Sequence, residues 1–228
     1  MEQAVRAVLE AIGEDPNREG LRDTPARVAR LYRKVFSGLG EDPRKQFRLF
    51  NVRHQDGVVV VRDIAFQSMC EHHLLPFFGK IHLAYLPRDN RVTGLNSLTR
   101  VAEVLSRRPQ LQERLTNDIA DALMECLRPR GLLVVTEAQH LCMSLSEGGK
   151  RGATAVSSAA RGAMLVDARR REALLMMNLP GAGTKRGEKS RLSGGGSGAR
   201  GVGSGGKRGR LHVKRRRPRA GTRRPKTA

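Results

Sequence analysis

Met69-Cys70-Glu71-His72-His73-Leu74-Leu75-Pro76-Phe77-Phe78-Gly79 is the stretch on which the reading of this chain turns, and Gln139-His140-Leu141-Cys142 answers it far downstream. Cys70 and His73 stand three apart, and Cys142 lies seventy-two residues beyond Cys70. A fold that brings the two stretches together offers two thiolates and an imidazole to one ion. Zinc with four protein ligands is usually structural, whereas three ligands leave a position for water and Lewis-acid chemistry. The pattern therefore predicts a zinc site of Cys70, His73 and Cys142 that is open for catalysis. His72 and His140 flank these ligands, and each is a candidate to move protons. Two blander readings compete: a buried cysteine beside a partly exposed histidine pair, and a Cys70–Cys142 disulfide. The second cluster on a strand-like run, and a reducing setting, weigh against both.

Working outward, residues 58–61 form a β-branched run that continues through Ile64 and Phe66, a strand that delivers Cys70 at its end. After Gly79 the alternation of Ile81, Leu83 and Tyr85 predicts a second strand, with His82 on its opposite face in a structural role. Residues 132–145 read as another strand, on which period two would put His140 and Cys142 on one face. Helical spacing is plain in Ala4, Val5, Val8, Leu9 and Ile12, and again in Val28, Leu31, Tyr32 and Val35 after a Thr24 cap and Pro25. Leu95-Asn96-Ser97 caps a third helix, and a longer one is expected from about Pro109, with Leu111, Leu115, Ile119, Leu123 and Leu127 recurring every four residues. Cys126 falls beside that stripe as an expected core residue. A strand over 154–158 and a last helix over 167–177 complete the pattern.

Together the run from Cys70 to Phe77, the Gln110-Leu111-Gln112-Glu113-Arg114-Leu115-Thr116 run and the His140-Leu141-Cys142 triplet resemble GTP cyclohydrolase I. The likeness extends from about Ala7 to about Met177. It implies an α+β tunnelling fold, an antiparallel sheet backed by helices, with a helical arm over 1–50, a catalytic domain over 51–178 and self-association as two stacked pentamers. It also implies zinc-dependent hydrolysis of GTP at guanine C8, with release of formate and formation of 7,8-dihydroneopterin triphosphate. In that scheme His140 is the leading proton donor to the purine and His72 a second proton-transfer group. Glu113 anchors the guanine ring, since two carboxylate oxygens suit its adjacent N–H and amino donors. Gln112, Arg100, Lys150 and Arg27 bind substrate, Arg27 reaching the phosphates from a neighbouring subunit.

The chain departs from that family pattern at two places. Ser146-Glu147-Gly148-Gly149-Lys150-Arg151-Gly152 has Ser146 where an arginine usually meets the triphosphate, and Ser97 stands where a lysine is common. Each charge-assisted phosphate contact contributes about 1.5 to 3 kcal/mol, so losing two would weaken binding roughly a hundredfold or more unless Lys150, Arg151, Arg100 and Arg27 compensate. Three functions compete: a GTP cyclohydrolase with a rearranged phosphate loop, which is favoured; a paralogue for a less phosphorylated purine nucleotide; and a zinc-stabilised scaffold without catalysis.

Charge is concentrated at one end. Residues 179–228 hold sixteen of the 43 lysines and arginines and one acid, Glu188, so they carry +15 against +6 for the other 178 residues. Thirteen glycines and no aromatic residue leave this tail unable to bury enough surface to offset its ordering entropy. Disorder is expected there, with sequence-independent, salt-sensitive contact to nucleic acid or an acidic partner. Three cysteines cannot pair fully, and there is neither an apolar leader nor a span of bilayer length, so a cytoplasmic setting without membrane contact is expected.

Overall fold

Alternation of side chains along the long strands decides the architecture. In the computed structural model, which describes residues 1–45, 47–55, 57–145 and 152–178, the central strands are β2 (Val59–Cys70), β3 (Pro76–Leu86) and β6 (Gly131–His140). They join β5 (Pro109–Gln110) and β7 (Ala155–Gly162) in one sheet of order β5-β2-β3-β6-β7. A separate pair, β1 (Leu49–Asn51) with β4 (Arg91–Thr93), stands apart from it. The helices are α1 (Glu2–Ala11), α2 (Thr24–Val35), α3 (Leu95–Ser106), α4 (Gln112–Leu127), the short α5 (Leu141–Leu145) and α6 (Asp167–Asn178). This is an α+β arrangement, a largely antiparallel sheet backed by helices, as the resemblance implies.

The sheet is antiparallel except at one edge, where Met69 and Cys70 pair in parallel with Pro109 and Gln110. The helix expected from Pro109 therefore starts three residues later, at Gln112, because Pro109 and Gln110 are drawn into the sheet beside the end of β2. Thr24 is likewise the first helical residue and not the cap, which is Asp23, and Gly94 takes the cap position before α3.

Phe77, Ile81, Leu83 and Tyr85 of β3 pack with Leu132 and Val134 of β6 against Leu98, Val101, Leu115, Ile119 and Leu123 of α3 and α4. Each such side chain, fully buried, contributes about 1.5 to 3 kcal/mol. One extra residue in β2 between Val61 and Ile64 makes a bulge, with Asp63 in the left-handed region at φ 60°. That insertion returns Ile64 and Phe66 to the face that Val61 occupies. The other face is not left to solvent throughout: Ala84, Leu86 and Leu133 are covered by Met164 and by Ala173 and Met177 of α6.

Gly79 lies opposite Ala138 across the β3–β6 pair, and an added Cβ would come within 2.7 Å of the Ala138 Cα. Only glycine lets the two strands approach here, two residues from Phe77. The amphipathic helix α1 has no buried residue and α2 buries only Ala29. The chain after α2 is tied to the core through the Gly38 N–H, which donates to the Arg107 carbonyl at 2.9 Å, and through Arg108, which donates to the Gly38 carbonyl at 3.0 Å. No helix among the described residues is long and apolar enough to cross a membrane.

Candidate active site

β2 and β3 are joined by a turn that Cys70 closes from both sides: its N–H donates to the Leu75 carbonyl at 2.9 Å, and its carbonyl accepts from the Leu74 N–H at 2.8 Å. Leu74 takes a left-handed φ of 51° to complete the reversal. So tight a turn carries the Cys70 Sγ to 3.9 Å from the His73 Nδ1. Cys142 arrives from the other stretch. The strand expected to run to 145 stops at His140, and Cys142 sits in the first turn of α5. The same-face argument for His140 and Cys142 therefore fails, because the backbone coils between them; helical geometry, not strand period, aims the thiol.

Ligand atoms of Cys70, His73 and Cys142 all lie within 4.8 Å of one another, and all three cysteines of the chain are free. Tetrahedral zinc with bonds of about 2.3 Å to sulfur and about 2.0 to 2.1 Å to nitrogen needs ligand separations of roughly 3.5 to 3.8 Å, so small side-chain adjustments would suit the trio to it. Burial pushes the Cys142 thiol pKa up, and the neighbouring Cys70 adds to this, while backbone groups of Cys142 and Met143 oppose it. A cation bound between the two sulfurs would reverse that shift at Cys142, since binding displaces thiol protons.

His140 ends β6 directly opposite Phe77, and the two rings stack with centroids 4.6 Å apart and planes 2° apart. Its Nε2 lies 2.8 Å from the Gln112 Oε1. Burial lowers the His140 pKa, and the Glu113 carboxylate raises it in opposition. Glu113 itself is exposed in the first turn of α4, consistent with a group offered to a ligand, whereas the Gln112 side chain is only 2% exposed. The side-chain amide of Gln112, an expected substrate-binding residue, is engaged with Thr136, Ala155 and His140.

The other expected site residues are placed less closely. His72 is exposed, its ring centroid 6.1 Å from that of His73. Arg100 pairs with Glu41 at 2.9 Å and Glu103 at 3.3 Å, and exposed Arg27 pairs with Asp23 at 3.1 Å, so neither is bonded to the metal trio or to His140 within this chain. Ser97 accepts a long hydrogen bond from the Arg48 N–H at 3.4 Å. Lys150, Arg151 and Ser146 lie outside the described residues. His82 bridges the bulge and the neighbouring strand, its Nδ1 accepting from the Asp63 N–H at 3.3 Å and its Nε2 lying 3.6 Å from Glu137, which suits the structural role expected of it. Cys126 is half-buried at the margin of the core and not within it, and burial raises its pKa.

Sequence reasoning missed Phe77, Thr116, Thr136 and Arg114. Thr116 was detectable as a hydroxyl on the apolar side of α4, next to Leu115. Arg114 forms an ion pair with Glu71, and the Glu71 N–H donates to the Gln110 carbonyl at 3.1 Å, so the Cys70–His73 turn is tied to the start of α4.

The profile of the family described as GTP cyclohydrolase I matches residues 1–178. GTP cyclohydrolase 1 of Bacillus subtilis (strain 168) is 56% identical over 176 residues, covering 77% of this chain and 92% of the relative. That of Geobacillus kaustophilus (strain HTA426) is 53% identical over 178 residues, 78% and 94% of the two chains. That of Carboxydothermus hydrogenoformans is 57% identical over 162 residues, 71% and 84% of the two. With a metal-compatible trio, a stacked histidine and an exposed glutamate where those motifs lie, the chain belongs to the GTP cyclohydrolase I family.

Proposed function

We propose that the protein hydrolyses GTP at C8 of the guanine ring, releasing formate and forming 7,8-dihydroneopterin triphosphate. The observation that carries this reading is the meeting of Cys70, His73 and Cys142 within 4.8 Å, from stretches seventy-two residues apart. Zinc held by these three would supply Lewis acidity that makes water nucleophilic near neutral pH. Glu113 accepts the adjacent N–H and amino donors of guanine and sets the register of the ring. His140 gives a proton to N7, which makes C8 electrophilic, and His72 serves later proton transfers. Arg100 and Lys150 meet the phosphates, and Arg27 does so from a neighbouring subunit of a decamer built as two stacked pentamers.

The domain assignment follows: an arm over 1–50, a catalytic domain over 51–178, and a basic tail over 179–228 whose +15 charge suits nonspecific contact with nucleic acid or an acidic partner. A cytoplasmic setting is part of the same reading.

A second reading, preference for a less phosphorylated purine nucleotide, is favoured by one observation. Arg100 is already engaged by two carboxylates, while serine occupies positions 97 and 146. Zinc-loaded protein given GTP, GMP and guanosine in parallel, with pterin fluorescence as readout, separates the readings. Product from GTP in clear excess supports the first, product mainly from GMP or guanosine the second, and none from any of the three overturns both.

A further inference from the structure

The amide of Gln112 sits where three elements meet, with its Nε2 3.1 Å from the Thr136 carbonyl, 3.2 Å from the Thr136 Oγ1 and 3.0 Å from the Ala155 carbonyl. Two of these partners are main-chain carbonyl oxygens, which only accept, so this end of the amide must be the NH2 group. Its orientation is reinforced by the hydroxyls around it. The Thr116 Oγ1 donates to the Gln112 carbonyl at 2.7 Å, the Thr136 hydroxyl donates to the Thr116 Oγ1 at 2.8 Å, and the Thr136 Oγ1 accepts from Gln112. A buried flip of the amide would break contacts to both carbonyls at once.

With the nitrogen fixed, the Gln112 Oε1 is the atom that faces the His140 Nε2 at 2.8 Å. An amide oxygen only accepts, so Nε2 must carry hydrogen. We propose that Gln112 is a positioning residue that sets the His140 tautomer, with hydrogen held on Nε2, so that Nδ1 is the one ring atom through which His140 exchanges a proton with substrate. Phe77 completes the constraint: its stacked ring fixes the imidazole plane, while the Gln112 bond fixes rotation within it. The proposal rests on His140 as the proton donor to the purine, and it replaces direct substrate contact by the Gln112 side chain.

Zinc-loaded, full-length protein labelled with 15N-histidine tests this by long-range 1H–15N correlation, with the His140→Gln spectrum identifying the His140 signals. The expected result, at a pH where the ring is neutral, is a protonated Nε2 whose hydrogen is shielded enough from solvent to be observed directly, an unprotonated Nδ1, and loss of the Nε2 hydrogen signal in Gln112→Leu; at lower pH Nδ1 gains the second proton while Nε2 keeps its own. A neutral ring with its hydrogen on Nδ1 and none on Nε2 in the unmodified protein would overturn the proposal, as would an Nε2 hydrogen signal that survives in Gln112→Leu. The spectrum of the unmodified protein is decisive even if the variant does not fold. It is also independent of turnover, so a protein inactive on every nucleotide would sink the functional reading while the tautomer is still judged on its own. In kinetics, Gln112→Leu is expected to keep its zinc and its KM for GTP within about twofold while kcat falls up to about 100-fold, the scale of misplacing a reacting group by about 1 Å. A raised KM with unchanged kcat would mean that Gln112 touches substrate, and the proposal would be wrong.

Discussion

Phe77 and His140 are cross-strand partners whose rings lie parallel, 4.6 Å apart, on the last residues that β3 and β6 share. The buried phenyl ring is thus both part of the core and one wall of the proposed proton donor. Phe77→Leu should keep the fold, since volume is largely conserved, at a stability cost of about 1.5 kcal/mol or less. It should reduce turnover more than it reduces the melting temperature. Comparing kcat with thermal unfolding checks this, and equal losses in both would leave Phe77 as a packing residue alone.

Ligands and proton donor should separate cleanly. Cys142→Ala is expected to lose bound metal and turnover together, because two remaining ligands hold zinc poorly. His140→Ala should retain stoichiometric zinc and lose turnover by roughly 10²- to 10⁴-fold, the usual contribution of a positioned general acid. Metal analysis beside the pterin assay reads both, and an unimpaired rate in His140→Ala would remove that residue from the chemistry.

Glu113 raises the His140 pKa against the lowering effect of burial. Removing its charge should therefore lower that pKa further, so the protonated imidazole is lost at lower pH as pH rises. In Glu113→Gln the alkaline limb of kcat should move to lower pH, together with a raised KM from loss of the proposed guanine contact. A pH–rate profile checks the sign, and a limb that moves upward contradicts the electrostatic account.

Gly79 has no room for a side chain between β3 and β6, and Gly79→Ala places a methyl group against the Glu137 carbonyl and the Ala138 Cα. Neither is a flexible side-chain end, so the strands themselves must part, at a cost of about 1 to 3 kcal/mol. Chemical denaturation should register that loss. Turnover should fall beyond it, because the same strand pair aligns Phe77 with His140.

Deleting residues 179–228 removes +15 of the formal charge. Any affinity for nonspecific nucleic acid should disappear with the tail and, in the full chain, should fall steeply as salt is raised. Cyclohydrolase activity should be unchanged. Electrophoretic mobility shift at two salt concentrations tests the first point, and binding that persists without the tail would assign it to the rest of the chain.

Local sequence was sufficient for several elements. β2 and β3, the helical stripes of α2, α3 and α4, and the role of His82 follow from side-chain periodicity, because alternation and fourfold recurrence are properties of the backbone itself. The meeting of Cys70, His73 and Cys142 was legible too, since they are residue types with few other reasons to cluster. Tertiary structure decided what periodicity could not reach. Pro109 and Gln110 became a strand because β2 offered them partners. The run through His140 bent into a helix at Leu141, so Cys142 reaches the trio from a coil of backbone where a continued strand was expected. Gln112 turned inward because carbonyls of β6 and β7, distant in sequence, left its amide one orientation. Hydrogen-bond partners supplied by other elements cast no pattern in the segment that receives them, and it is those partners that hold His140 in place.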